Sequence, residues 1–241
     1  MPIYRAPDSD STRLAFMKKA IKAAALDAER ATTYIDASFI STFATHYEAY
    51  AAAYAAVQST LAGRVIETAE SQAALNKLKM YVSHAWFSVY HRSQRLDLPA
   101  GVLEYYLLNA DGSRPAIDQD RESWESIAEQ IIKGDANAVL AGYVAMAEPT
   151  AVELQTVLDA SVNESGDVLQ ADRDYDEAQE AVATFRDTAD DLIRELRDII
   201  VFATRKKDAA SQRRILRSYG AKYRYLPGEA VDDGDVVEGE E

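Results

Sequence analysis

The chain has 241 residues, a formal net charge of −14, 48% hydrophobic and 27% charged residues. That balance is globular and excludes a wholly disordered or collagen-like polymer. With no cysteine it excludes disulfides and thiolate chemistry, and no run approaches the roughly 20 apolar residues that span a bilayer.

Gly (10) and Pro (6) are scarce, while Ala, Glu, Asp, Leu and Arg abound. The expected class is therefore all-α, an elongated helical bundle. The first residues lack the apolar core of a signal peptide, so a cytoplasmic location is the expectation.

Asp8 to Thr12 offers N-cap oxygens before Leu14, Met17 and Ile21, predicting a first helix over about 11–30. Ile40, Phe43, Tyr47, Tyr50, Tyr54, Val57 and Leu61 alternate three-four spacing and predict a second helix. Alanines at 49, 51, 52, 53, 55 and 56 flank that seam, suited to close approach by neighbouring helices. A third helix is expected through Leu75, Leu78, Val82, Ala85 and Val89, stopping near Leu98-Pro99. Residues 109–115 collect turn formers. Asp118 is a candidate cap for a helix through Trp124 and Ile131 that ends at Lys133-Gly134, with a short helix over 136–147 after it.

Thr150 and Glu153 form a capping box. Beyond it Val168, Tyr175, Val182, Ala189, Leu196 and Ala203 repeat every seven residues, with Ala171, Ala178, Phe185, Leu192 and Ile199 three behind. Five heptads in phase predict one long helix in a helix–helix seam, widened by Ile193 and Ile200 into a bundle core. The seam residues that matter most are Val168, Tyr175, Val182, Phe185, Leu192, Leu196 and Ile199. Asn163 to Gly166 reads either as a turn or as mid-helix. Leu154 and Val157 keep the later phase, with Ser161 and Glu164 at the intervening seam positions, which favours continuity. A continuous helix of about 55 residues would be a rod of roughly 80 Å. A basic helix over about 209–219 stops at Gly220, and an acidic tail is expected to be disordered. By segment the chain reads as N-terminal helices (1–98), an irregular middle (99–148), the long helix plus a short basic one (149–220) and the tail (221–241). Residues to 220 are expected to form one cooperative domain.

Catalytic signatures are missing. No phosphate loop, dinucleotide fingerprint or nucleophile elbow occurs, and no Glu-x-x-His pair precedes His46, His84 or His91. His84 and His91 share a helical face without a nearby carboxylate, a pattern that fits interfacial histidine better than a metal site. No catalytic residue, cofactor or metal is expected.

The remaining feature is cationic. Arg205, Lys206, Lys207, Arg213, Arg214, Arg217, Lys222 and Arg224 stand against one acid, Asp208. The tail acids Glu229, Asp232, Asp233, Asp235, Glu238, Glu240 and Glu241 equal that excess of positive charge. Arg205, Arg213, Arg214, Arg217, Tyr219, Lys222, Tyr223 and Arg224 are the candidate partner-binding residues. The expected function is a non-enzymatic scaffold that self-associates or docks on another protein through exposed seams and this basic segment. The alternative is single-stranded nucleic acid stacked on the interleaved tyrosines, which the overall negative charge disfavours. No membrane partner is expected.

Overall fold

The computed structural model describes residues 2–226, so the acidic tail expected beyond them lies outside the described residues. Those residues form six helices and a two-stranded ribbon: β1 (Ile3–Arg5), α1 (Asp10–Glu29), α2 (Ala37–Arg95), α3 (Gly101–Glu104), α4 (Arg121–Leu140), α5 (Ala151–Ala203), α6 (Ala209–Ser218) and β2 (Lys222–Arg224). The all-α class holds. No helix among the described residues is long and apolar enough to cross a membrane.

Two expectations of helix boundaries are met and two are corrected. Thr150 and Glu153 cap each other's backbone N–H groups at 2.8 and 3.2 Å, and α5 runs unbroken through 163–166. The two helices expected between residues 40 and 98 are instead one, α2, of 59 residues. Between Leu61 and Leu75 the sequence holds no proline and one glycine, so nothing breaks the backbone ladder. Likewise α4 does not end at Gly134. Its N-cap is Asp120, not Asp118, and it absorbs the start of the short helix expected over 136–147. Gly134 is there for proximity: a Cβ on it would lie 1.6 Å from the Tyr105 carbonyl oxygen. The ribbon was not foreseen. It draws residues 222–224, expected to belong to the tail, into an antiparallel pair with residues 3–5.

The fold divides into two compact units. Unit 1 comprises residues up to Ser59 together with those from Asp176 onward; unit 2 is Thr60–Tyr175. Both α2 and α5 contribute one stretch to each.

Unit 1 buries Phe16, Met17 and Ala20 of α1, Phe43, Tyr50 and Val57 of α2, and Val182, Ala189, Ile193, Leu196 and Ile200 of α5. Toward the end of α5 the buried stripe therefore runs 189-193-196-200, the drift of a 3.6-residue period away from a strict heptad. Ile193 and Ile200 lie at its centre, while Leu192 and Ile199 are half-buried. Most of the flanking alanines are not close-packing residues: Ala49, Ala52, Ala55 and Ala56 are exposed, serving as helix formers, while Ala51 and Ala53 are half-buried.

Unit 2 has a continuous core of Leu75, Leu78, Val82, Trp86 and Val89 from α2, Val102, Leu103 and Tyr106 around α3, Ala128 and Ile131 from α4, and Leu154, Val157 and Leu158 from α5. The Trp86 indole donates to the Tyr106 carbonyl at 2.7 Å. Asp135, 4% exposed, accepts from the Tyr106 hydroxyl and the Met146 N–H, each at 2.7 Å.

Candidate functional site

Within unit 2, α2 and α5 run antiparallel, and their seams are polar where the core ends. Continuing the three-four spacing of α2 past Leu61 gives Arg64, Thr68 and Ser71; the matching positions of α5 are Ser161 and Glu164. Ser71 and Ser161 are 6% and 0% exposed. Arg121, at the start of α4, satisfies both. It donates to the Ser161 carbonyl and hydroxyl at 2.8 and 2.7 Å, and to those of Ser71 at 2.8 and 2.6 Å. Glu125 completes the group, accepting from Ser161 at 2.8 Å and facing Arg121 at 3.4 Å.

Past this clamp the two helices lose their cover. No residue of 58–70 or of 162–175 is buried. Val65, Ile66, Val162 and Leu169 are half or more exposed. In the same stretch, carboxylate oxygens of Glu67, Glu70 and Glu164 lie within 4.8 Å of one another. Partial burial, and then the charges of Glu70, Asp167 and Glu164, raise the pKa of Glu67. A shallow groove of about 250 Å³ runs beside them, lined by Gly63, Arg64, Glu67, Asp167 and Asp174 among others. Arg64 pairs there with Asp172 and lies 5.6 Å from the Tyr175 ring centre. Chemically this is a concentrated negative surface beside apolar groups. Three convergent oxygens could also hold a cation, as exposed acids commonly could.

The predicted seam residues divide between the units. In unit 2, Val168 and Tyr175 are half-buried on the uncovered stretch. In unit 1, Val182 and Leu196 are buried; Phe185 is half-buried, stacked 5.8 Å from Tyr50, and its carbonyl lies 3.1 Å from the His46 Nε2. Ile199 lines an open groove with Phe202 and Asp198.

The basic segment is in unit 1, and only part of it faces solvent. Arg205, Lys206, Lys207, Arg214, Lys222 and Arg224 are exposed. Arg205 lies 4.0 Å from the centre of the Phe202 ring, itself 67% exposed. Arg213 and Arg217 are half-buried; Arg217 stands over Tyr223 at 5.2 Å and donates to the Tyr225 hydroxyl. Tyr219 is 1% exposed and donates to Asp27 at 2.7 Å. Burial, and then Asp27, push its hydroxyl pKa up. Tyr223 turns inward to meet Tyr4 at 6.0 Å. The aromatic faces that a single-stranded nucleic acid would need are thus engaged within the fold.

His84 and His91 are exposed on α2 and line an open groove of about 790 Å³ with Met80, Phe87 and Glu153. The Phe87 and His91 rings contact at 4.2 Å. Neither histidine belongs to a group of three convergent ligands among the described residues.

Sequence reasoning overlooked Arg121 and the acidic cluster. The signal was present, because serines at two seam positions require a donor or acceptor once buried. Comparison with known proteins found no matching family model, no matching curated protein and no matching solved structure.

Proposed function

We propose that the protein is a non-enzymatic helical scaffold that associates with copies of itself. The exposed basic residues 205–207 of one copy seat on the uncovered acidic stretch of α2 and α5 in another. The observation that carries this reading is the gathering of Glu67, Glu70 and Glu164 beside exposed Val65 and Ile66. Glu67, whose pKa is raised by partial burial and then by its acidic neighbours, gains from a cationic neighbour, and the apolar side chains give such a contact area. The complementary surface has the same two ingredients, with Arg205, Lys206 and Lys207 beside exposed Phe202. Two different patches meeting make a heterologous contact, which closes into rings or grows as filaments. Exposed charge pairs are weak and screened, so association should depend on concentration and ionic strength.

Sedimentation velocity across a concentration series, at low and high salt, tests this. The average mass should rise with concentration at low salt and fall toward one chain at high salt. Glu67→Lys with Glu70→Lys should abolish the rise, and so should Arg205→Glu with Lys206→Glu and Lys207→Glu. An equal mixture of the two reversed proteins should form pairs again. A single-chain mass at every concentration in low salt defeats the proposal, because an intramolecular contact would leave the mass unchanged.

A further inference from the structure

A separate surface, in unit 1, carries an arrangement of charge that the fold imposes. The ribbon pairs Ile3 with Arg224, Tyr4 with Tyr223 and Arg5 with Lys222. Side chains alternate along a strand. With Tyr4 and Tyr223 packed against each other on the inner face, the outer face must set Arg5 directly opposite Lys222. Like charges opposed on a sheet face repel. The register is held by the tyrosines nonetheless, and Arg197 closes over the Tyr4 ring at 5.0 Å.

A third cation reaches the same place from α1. Arg5, Lys19 and Lys222 line a crevice of about 160 Å³ whose walls include Pro7, Phe16 and Gly220. Gly220 has a φ of +104°, and an added methyl would lie 3.1 Å from Phe16 backbone atoms, so this wall is drawn in close. One acid, Asp8, also lines the crevice; it stands 3.7 Å from Arg5, and both side chains are about 70% exposed. Among the described residues, Lys19 and Lys222 form no ion pair with a carboxylate. At the start of α1 the Ser9–Thr12 capping box occupies the amides of Ser9 and Thr12.

We propose that this crevice binds a small anion: a phosphate or carboxylate group carried on a compact apolar body. Three cationic residues from three elements line one crevice in a chain whose net charge is −14, and a bound anion turns the repulsion between Arg5 and Lys222 into two attractions. Phe16 and Pro7 provide an apolar wall for the rest of the ligand. The size of the crevice limits the ligand to a few heavy atoms beyond the anionic group. The chain's own acids beyond residue 226 offer the same carboxylate chemistry, and the experiment separates the two sources. This inference is independent of the association reading, whose residues lie elsewhere.

Backbone amide spectra of the full chain, titrated with inorganic phosphate and with acetate against sodium chloride of equal ionic strength, provide the test. Saturable shifts are expected at Arg5, Lys19, Gly220 and Lys222. Arg5→Gln combined with Lys222→Gln should weaken the response about fivefold or more, since both charge contacts go. In anion-free buffer that double variant should melt no lower than the native protein, because it relieves like-charge repulsion. A second full-length chain, with Glu229, Asp232, Asp233, Asp235, Glu238, Glu240 and Glu241 changed to their amides, forms the parallel arm. Tighter phosphate binding there supports the site and identifies the chain's own acids as competitors for it; equal binding supports the site as one for free anions. Absence of saturable shifts in both chains, or undiminished binding by the double variant, overturns the proposal.

Discussion

Units 1 and 2 both use arginine to hold a helix against α5, but the arginines find different acceptors. In unit 1, Asp10 of α1 takes both nitrogens of the Arg186 fork at 2.8 and 2.9 Å. Arg13, one turn on, returns the same fork to Asp190 at 2.7 and 2.9 Å. The Tyr50 hydroxyl adds a 2.7 Å bond to Asp10. In unit 2 the Arg121 guanidinium is satisfied mainly by hydroxyl and carbonyl oxygens of Ser71 and Ser161. The first arrangement depends on carboxylates staying ionised, whereas the second is built mostly from acceptors that do not titrate. Similar docking tasks have thus been given different sensitivities to pH.

Removing Arg121 should have the largest effect. Arg121→Met removes the donor shared by the hydroxyl and carbonyl groups of two buried serines, and leaves Glu125 without its cation although it keeps the Ser161 hydroxyl. The cost should be about 3 kcal/mol, the scale of several unmet buried polar groups. Urea unfolding would read it, and a loss below about 1 kcal/mol would mean that solvent replaces the guanidinium easily. Asp10→Asn should cost less, about 1 kcal/mol, because Arg186 is 39% exposed and solvent screens the pair.

Acid sharpens the same contrast. Asp10 is held below its ordinary pKa, chiefly by the Arg186 hydrogen bond. Its stabilisation is therefore complete above the unfolded carboxylate value of about 4, and is lost as pH falls through the depressed folded value. Hydrogen exchange followed downward in pH should open α1 before α4; the reverse order would break the comparison. The smallest effect belongs to Glu67→Gln. It removes one of several mutually repelling charges, so the melting temperature should rise slightly while the proposed self-association weakens.

What could be read from the amino acids depended on whether a pattern was apolar or polar. The continuity of α5 was legible because Leu154 and Val157 keep phase with Val168 across the polar positions. The same phase runs through α2, from Leu61 by way of Arg64, Thr68 and Ser71 to Leu75, yet three polar residues in succession look like a gap. They cease to be one only when Arg121, about 50 residues away, is seen to bridge Ser71 to Ser161. Gly134 misled for a related reason. Glycine signals a helix stop by its backbone freedom, but here it is required by a neighbouring carbonyl, and sequence order does not reveal neighbours. The ribbon was beyond reach, because three-residue strands carry almost no periodic signal. Of the basic segment, the charge was legible and the inward orientation of Tyr219 and Tyr223 was not, since it depends on Asp27 and Tyr4.

The pairing of residues 3–5 with residues 222–224 also sets an order of events during synthesis. Unit 2 is one unbroken run of chain, so every residue of its core has been made once Tyr175 is added. Unit 1 is discontinuous. Its first strand and α1 are made early, then wait for Ile193, Leu196, Tyr219 and finally Arg224. At 5–20 residues per second, the 49 residues between Tyr175 and Arg224 take roughly 2–10 s. Through that interval Phe16, Met17 and Phe43 have no permanent cover. The nascent chain is most exposed to aggregation, and most in need of a chaperone, after one half of its tertiary structure can already exist.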